Sequence, residues 1–420
     1  MPLLLALIIA AMPATQDTVV APAAVQRASV AIRTIDPADA DFKDLEHLKK
    51  ALGTARVVVL GEPHNDGATL QAKARLIRFL HEQMGFDALV IEQDLLGVRE
   101  DVRQLATETP LAELRGSVAT YVDAERAWLF SYVAEQARGP RTLHLSGMDP
   151  LWNTRELSTA FGPDLVAFFD KVKPGTLPAD LRAVLVGTIG HPYMADPRPM
   201  TPGRFRTVPV ETVLAAKDEA VLRALLGVIV SNRPAFERTH GRNEVRFTEL
   251  ALENRVLNLR YHADRQQPNR ANVVLGARDS LMGRAAAFLV NDYYKGRKAV
   301  ISSGSHHAMS NGAELGVAGY ENMIGHLRRS VPTGVYSVGF VAHEGKHGPS
   351  PGYATPIDST RFGSPEWAAS QLSADHLWID MNQVPGMYRS KLFNTQPVAL
   401  WKRHFDFAFY IRREHPLTPR

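Results

Sequence analysis

Two segments of the chain share the spacing glycine, any residue, any residue, histidine. Gly61-Glu62-Pro63-His64 follows the apolar run VVVL, and Gly304-Ser305-His306-His307 follows AVISS. A histidine beside a carboxylate has its tautomer fixed and its basicity raised, so it can take a proton from water or deliver one to a leaving group. The two segments therefore predict acid–base chemistry by Glu62, His64 and His307.

Carboxylates end two further apolar runs. ALVIEQD contains Glu92 directly after Leu89-Val90-Ile91, where a carboxylate needs a partner, and LHLSGMD ends at Asp149. Glu92 therefore joins the principal candidates. Asp149 and His306 are secondary candidates, because a strand-end carboxylate often holds a loop and His306 would point away from His307 in a continuing strand.

The same side chains also suit a metal ion. The chain has no cysteine, so any metal must be held by histidines and carboxylates, here His64, Glu92 and His307. Mn, Zn or Co at such a site would acidify a bound water. The residue types leave the choice between direct acid–base catalysis and a metal ion open.

Short apolar runs alternate with helical patterns, which predicts an α/β protein with a mostly parallel central sheet flanked by helices. A helix predicted over Ala68–Gln83 joins the first two strands as a right-handed βαβ unit. Because the carboxyl ends of parallel strands share one edge, we expect all the candidate residues to meet there. The predicted strands are Arg56–Leu60, Ala88–Ile91, Arg141–Ser146, Ala299–Ser303, Val335–Val341 and Phe405–Ile411.

The N-terminal run Leu3–Ala11 is apolar, too short to span a bilayer, and followed by small residues. It predicts a signal peptide over residues 1–23 and a periplasmic or secreted protein. Patterning then predicts a first part of the α/β core over residues 24–154 and a second part over 266–345. Between them, residues 155–265 are predicted to form a mainly helical insertion. Residues 346–420 are predicted to form C-terminal loops and a last strand of the same core.

Charge and motifs narrow the function. The net charge of +4 comes without blocks of like charge, so nothing indicates a nucleic-acid partner. No transmembrane segment is expected in the mature chain. The G-x-S-x-G elbow, the Walker loop and H-E-x-x-H are absent from the sequence. A small-molecule or peptide substrate is expected.

The ordered segments VVVLGEPH, GFDALVIEQD, LHLSGMD, RDSLMGRAAAFLV, KAVISSGSHH and YSVGFVAHEG resemble the erythromycin esterase family over about residues 50–345. That family is grouped with the haem-binding ChaN proteins and the TraB and Tiki proteins by two G-x-x-H motifs and a glutamate. Residues 61–64, Glu92 and residues 304–307 match this mark. Two departures from the esterases favour the G-x-x-H branch: only Pro63 separates Glu62 from His64, and Gly304 replaces the first histidine of the later motif.

The resemblance implies a hydrolase of ester- or amide-type bonds. His64, with Glu62 or Glu92, would activate water, His307 would assist, and Arg278 would stabilise developing negative charge. Two alternatives are a haem- or metal-binding protein of the ChaN type, with the same histidines as ligands, and a Tiki/TraB-like metal-dependent peptidase. Asp279 is predicted to be a first-turn acid of a helix that it begins.

Overall fold

The structure is a computed structural model whose centre is one large sheet. It describes residues 18–107, 109–114, 123–151, 155–182, 212–265, 267, 270–315, 321–357, 362–392 and 398–419. Residues 1–17 of the predicted signal peptide therefore lie outside the described residues. The strands in this part of the chain are β1 (Ser29–Ile32), β2 (Val57–Glu62), β3 (Phe86–Asp94), β4 (His144–Asp149), β5 (Lys298–Gly304), β6 (Val335–His347), β7 (Thr355–Pro356), β8 (His376–Asp380), β9 (Tyr388–Arg389), β10 (Val398–Ala399) and β11 (Phe407–Glu414).

The main sheet has the order β1-β8-β11-β6-β2-β5-β3-β4, with β7 paired to β6. All neighbours from β11 to β4 are parallel, whereas β1 and β8 are antiparallel to their partners. This confirms the predicted α/β fold with a mostly parallel sheet. β2 and β3 are parallel as predicted, with β5 inserted between them, so both G-x-x-H segments leave adjacent strands at one edge.

Helices cover both faces of this sheet, and two apolar clusters fill the space beneath them. The helix predicted over Ala68–Gln83 is observed, with Gly85 as its left-handed C-cap at φ 81°. The described helices are α1 (Pro22–Ala28), α2 (His47–Ala51), α3 (Gly67–Met84), α4 (Leu95–Ala106), α5 (Ala124–Arg138), α6 (Arg155–Val172), α7 (Thr212–Ser231), α8 (Arg233–His240), α9 (Arg242–Arg265), α10 (Ala271–Phe288), α11 (Ser305–Ala308), α12 (Met323–Ser330) and α13 (Pro365–Ser370).

Helices α6 to α9 share an apolar core of their own. Buried side chains from α6, α7, α8 and α9 form it, among them Phe161, Leu225, Phe236 and Leu252. These helices fall in the part of the chain where we predict a helical insertion. Its Pro-rich stretch, residues 191–202, lies outside the described residues, and the division into domains stays a prediction.

The predicted start of one helix is wrong, and two of the longer strands have no counterpart among the predicted ones. Strands β1 and β8, which extend the sheet in antiparallel fashion, were not predicted, because runs of four or five residues are too short for a period of two to stand out. Helix α10 begins at Ala271 rather than at Asp279. Asp279 therefore lies in the middle of the helix, and the first-turn role does not apply to it.

Among the described helices, none combines the length and apolar character needed to cross a bilayer.

Residues just before the predicted cleavage point at Ala23 are packed into the fold. Val20 is 2% exposed and its N–H donates to Gly363 O at 2.8 Å, while the N–H of Thr18 donates to Met387 O at 2.7 Å. α1 begins at Pro22, so cleavage after Ala23 would also shorten this helix.

We expect a chain that begins at Ala24 to be less stable than one that begins at Thr18. Loss of the buried Val20 side chain should lower the free energy of unfolding by about 1.5–3 kcal/mol. Urea unfolding of the two truncated proteins measures the difference. Equal unfolding midpoints would show that residues 18–23 add nothing to the core.

Candidate active site

Four parallel strands end at one rim of the sheet and bring their polar residues together there. Glu62 ends β2 and lies opposite Gly304, the last residue of β5, in the strand register. Glu92 lies near the end of β3, where a bulge follows Ile91, and Asp149 ends β4. The structure therefore brings the predicted residues to one place, as the strand-edge argument requires.

The two motif glycines make room for each other's histidine. A Cβ on Gly61 would lie 2.5 Å from the Ala308 Cβ, so only glycine lets α11, which carries His307, pack against β2. A Cβ on Gly304 would lie 2.9 Å from Cε1 and 3.0 Å from Nε2 of His64. Both G-x-x-H segments are therefore halves of one packed arrangement.

Glu92 is the centre of the cluster. Its Oε1 accepts a hydrogen bond from Arg278 Nη2 at 2.8 Å and lies 3.2 Å from His307 Nε2. Its Oε2 accepts from the N–H of Gly304 at 2.6 Å. Burial would raise the pKa of Glu92, but His307, Arg278 and His64 hold that pKa well below its ordinary value. Glu92 is therefore a carboxylate at neutral pH.

Arg278 is anchored by two carboxylates. Its Nε donates to Asp149 Oδ1 at 3.0 Å, and its Nη2 donates to Asp149 Oδ2 at 2.5 Å as well as to Glu92. The two parallel bonds to Asp149 are the geometry in which guanidinium and carboxylate match best. Burial would lower the pKa of Arg278, but Asp149 and Glu92 raise it well above its ordinary value. Asp149, a secondary candidate, thus positions Arg278 in the cluster.

His307 is held between two acids. Its Nδ1 lies 2.7 Å from Asp279 Oδ1, and its Nε2 lies beside Glu92. Burial and the neighbouring Arg278 would lower the pKa of His307, but Asp279 and Glu92 override both effects and raise the pKa to about 10. His307 is thus a buried imidazolium at neutral pH.

Asp279 is a site residue that sequence reasoning missed. Besides His307, its Oδ1 accepts a hydrogen bond from the N–H of Met323 at 2.8 Å, and its side chain is buried. Burial would raise its pKa, but His307 and His306 lower it. Met282 and Ala286, three and seven residues later, are buried on the same helix. That spacing was the available signal for a buried acid in need of a partner.

Glu62 is paired with a lysine that the sequence did not single out. Lys73 of α3 is 2% exposed and forms an ion pair with Glu62. Burial would raise the pKa of Glu62, but Lys73 and His64 lower it to about 2. Lys73 lies between Leu70 and Ile77 at helical spacing, so the pattern of the sequence indicates that this charged residue is on the buried face of the helix.

His64 is the open member of the cluster. Its side chain is 62% exposed, and its Nδ1 lies 3.8 Å from Glu62 Oε1. The interaction with Glu62 raises the pKa of His64 above its ordinary value, against the opposing effect of burial. His64 therefore lies beside the carboxylate of Glu62 and is accessible to solvent.

The loop after His64 has a constrained backbone. Asn65 has φ 68°, a left-handed conformation that asparagine tolerates better than most residues, and its carbonyl accepts from the N–H of Gly348 at 3.0 Å. Glu414 of β11 caps α3 by accepting from the N–H groups of Ala68 and Thr69 at 2.5 and 3.2 Å. The ends of β6 and β11 thus fix the segment that presents His64.

His306 lies beside the cluster as a neutral group. The chain turns into α11 after Gly304, so the strand does not continue through His306. His306 Nε2 is 3.9 Å from Asp279 Oδ2, and its side chain is 25% exposed. Burial and the charge of His307 lower the pKa of His306 to about 4. At neutral pH it is an uncharged imidazole.

The donor set does not fit a divalent cation at His64, Glu92 and His307. Among the described residues, no three histidine or acidic side chains form a group that would hold a metal ion. The guanidinium of Arg278 contacts Glu92 and lies 3.2 Å from His307 Nε2, so a positive charge already occupies the place between them. Haem ligation by His307 fits no better, because both its ring nitrogens already face carboxylates.

The fold and this cluster define a class of α/β protein that carries acids, imidazoles and an arginine together at the carboxyl edge of a parallel sheet. The sequence profile of the erythromycin esterase family matches residues 81–401. The chain therefore belongs to the erythromycin esterase family, a family of hydrolases, as the resemblance implied. The matched stretch includes Glu92, Arg278, Asp279 and His307 and begins after His64.

One named relative matches part of the chain. The chain is 33% identical over 117 residues to YbfO of Bacillus subtilis (strain 168), which carries the name of a hydrolase. That match covers 27% of this chain and 26% of YbfO, so the chain matches about a quarter of the length of this relative.

Two solved structures share the fold. A Bacillus cereus protein superposes with a TM-score of 0.68 at 16% identity, covering 95% of this chain and 98% of its own. A mutant of the erythromycin esterase EreC in its open conformation superposes with a TM-score of 0.66 at 18% identity. The superposition covers 92% of this chain and 98% of EreC.

Proposed function

We propose that the protein hydrolyses ester- or amide-type bonds with His64 as the general base. His64 is the exposed imidazole of the cluster, and Glu62 lies on the Nδ1 side of its ring, so we assign the proton transfer from water to Nε2. A base with a pKa near neutrality is the most effective one at neutral pH. The exposure of His64 beside the buried carboxylate of Glu62 is the observation that carries the proposal.

The steps follow from these positions. Nε2 of His64 takes a proton from water, and the resulting hydroxide attacks the carbonyl carbon. The tetrahedral intermediate carries a negative charge, which the fixed positive charges of Arg278 and His307 stabilise. When the intermediate collapses, the leaving group takes the proton from His64. Lys73 keeps Glu62 ionised, so that Glu62 stabilises the His64 imidazolium formed on the way.

His307 has a fixed role in this scheme. We expected it to assist as a second acid or base, or as a metal ligand. With a pKa of about 10 and both nitrogens beside carboxylates, it is better suited to be a permanent cation that holds Glu92 in place. The reaction we propose therefore needs no metal at this cluster.

The substrate we propose is a small molecule or a peptide with an accessible carbonyl group. Export to the periplasm or the exterior is likewise a proposal, which rests on the apolar run at residues 3–11.

The pH dependence of hydrolysis tests this function. His64 must be neutral to act as a base, so kcat/KM should rise with pH through the pKa of His64. Because Glu62 raises that pKa, the midpoint of the acid limb should lie above 6.5. The measurement uses a panel of nitrophenyl esters and aminoacyl anilides across the range around neutrality.

Two controls make the result specific. Glu62→Gln removes the charge that raises the pKa of His64 and should move the midpoint to lower pH. Protein treated with EDTA should keep its rate. An unchanged midpoint in Glu62→Gln would contradict the assignment of His64 as base, and loss of activity in EDTA would contradict the metal-free reaction.

A further inference from the structure

A second concave site lies away from the catalytic cluster, where the far end of α10 meets α8, α9 and α12. It is a cavity of about 340 Å³. Its most prominent residues are the four arginines Arg233, Arg242, Arg246 and Arg284. Phe288, which also lines it, is about 15 Å along the helix axis from Arg278, at 1.5 Å of rise per residue.

Three of these arginines are held in place by carboxylates. Arg233 and Arg246 both pair with Glu249, which is 3% exposed, the second at 3.2 Å. Arg284 pairs with Glu253. Their own side chains stay 32–45% exposed. A guanidinium fixed from one side keeps donors for a ligand on the other and loses little rotamer freedom on binding.

The lining itself is strongly positive. The balancing acids Glu237, Glu249 and Glu253 are absent from the residues that line the cavity, and Asp292 is the one carboxylate among the lining residues that the structure describes. Arg242 is exposed and forms no ion pair with any described residue. The surface of the cavity therefore presents four guanidinium groups against one carboxylate.

We propose that this cavity binds a phosphate or sulfate group. Planar guanidinium forks match the oxygen spacing of a tetrahedral oxyanion and give charge-assisted hydrogen bonds that lysine cannot reproduce. The volume is within the range of small-molecule sites, and Ala287 and Phe288 add an apolar wall. The chemistry fits an organic phosphate or sulfate ester as well as the free ion.

Calorimetric titration of the full chain tests this site. The probes are inorganic phosphate, inorganic pyrophosphate and ribose 5-phosphate, each measured against chloride at equal ionic strength. We expect saturable binding that Arg242→Gln/Arg284→Gln weakens by about tenfold or more for each arginine removed. Tighter binding of ribose 5-phosphate than of phosphate identifies an organic ester as the occupant, and equal binding identifies the free ion.

A matched control separates the cavity from general surface charge. Arg329→Gln/Arg413→Gln also removes two exposed arginines, each paired with a surface carboxylate outside the cavity. It should bind the probes as the unaltered protein does. Arg242→Gln alone serves if the double variant unfolds. Absence of saturable binding by the unaltered protein, or equal weakening in the control variant, overturns the proposal.

Discussion

His64→Gln is expected to lower kcat/KM for ester hydrolysis by about 10²- to 10⁴-fold, the usual contribution of a general base. Glutamine is of similar size and keeps a hydrogen-bonding side chain, but it cannot accept a proton from water at neutral pH. Because His64 is 62% exposed and lies outside the apolar clusters, the free energy of unfolding should change little. Steady-state kinetics and urea unfolding of the same preparation separate the two effects.

A second histidine serves as the control for this substitution. His47, on α2, has its Nδ1 3.0 Å from the carbonyl oxygen of Asp44 and lies outside the cluster. His47→Gln should leave kcat/KM within about twofold, as expected for a change away from the reacting atoms. If His64→Gln hydrolyses the ester panel as fast as His47→Gln does, His64 is not the base.

Arg278→Met is expected to have the largest effect on stability. It removes the guanidinium that pairs with Asp149 and Glu92, and it leaves the buried carboxylate of Asp149 without its ion-pair partner. Breaking a buried pair in this way costs about 3–5 kcal/mol, because the charge that remains has lost the opposite charge that compensated its burial. The free energy of unfolding from urea titration measures the loss, and hydrolysis should fall with it.

Two further variants test whether burial of the ion pair causes the loss of stability. Arg141 pairs with Asp87 at 2.8 Å but is 41% exposed, so Arg141→Met should cost at most about 1 kcal/mol. In Arg278→Met/Asp149→Leu one uncompensated carboxylate is also removed, so part of the lost stability should return. Equal losses for Arg278→Met and Arg141→Met would contradict the view that Arg278 neutralises the centre of the cluster.

The convergence of the site could be predicted because it depends on strand order only weakly. Four apolar runs end in polar residues, and any parallel arrangement brings such ends to one edge. The strand ends converge in this way although β5, and not β3, is the neighbour of β2. The packing role of the motif glycines could not be predicted, since the contact between Gly304 and His64 involves residues 240 positions apart.

The residues that sequence analysis missed share one property. Lys73 and Asp279 occur inside helices, where a charged residue is usually on the solvent side. Their charge is stabilised by Glu62 and His307, which come from other parts of the chain. Helical periodicity placed both on a buried face, but it does not reveal the partner.

The amino-acid sequence by itself determined the parallel sheet, the edge where the candidate residues converge and the identity of most acids and imidazoles of the cluster, Asp279 excepted. These depend on local periodicity and on which residue follows each apolar run. Only the tertiary structure decided that His307 is a buried cation, that His64 is open to water and that Arg278 lies between Glu92 and His307. Protonation and pairing are set by charges a few ångströms away in space, and those charges come from distant parts of the chain.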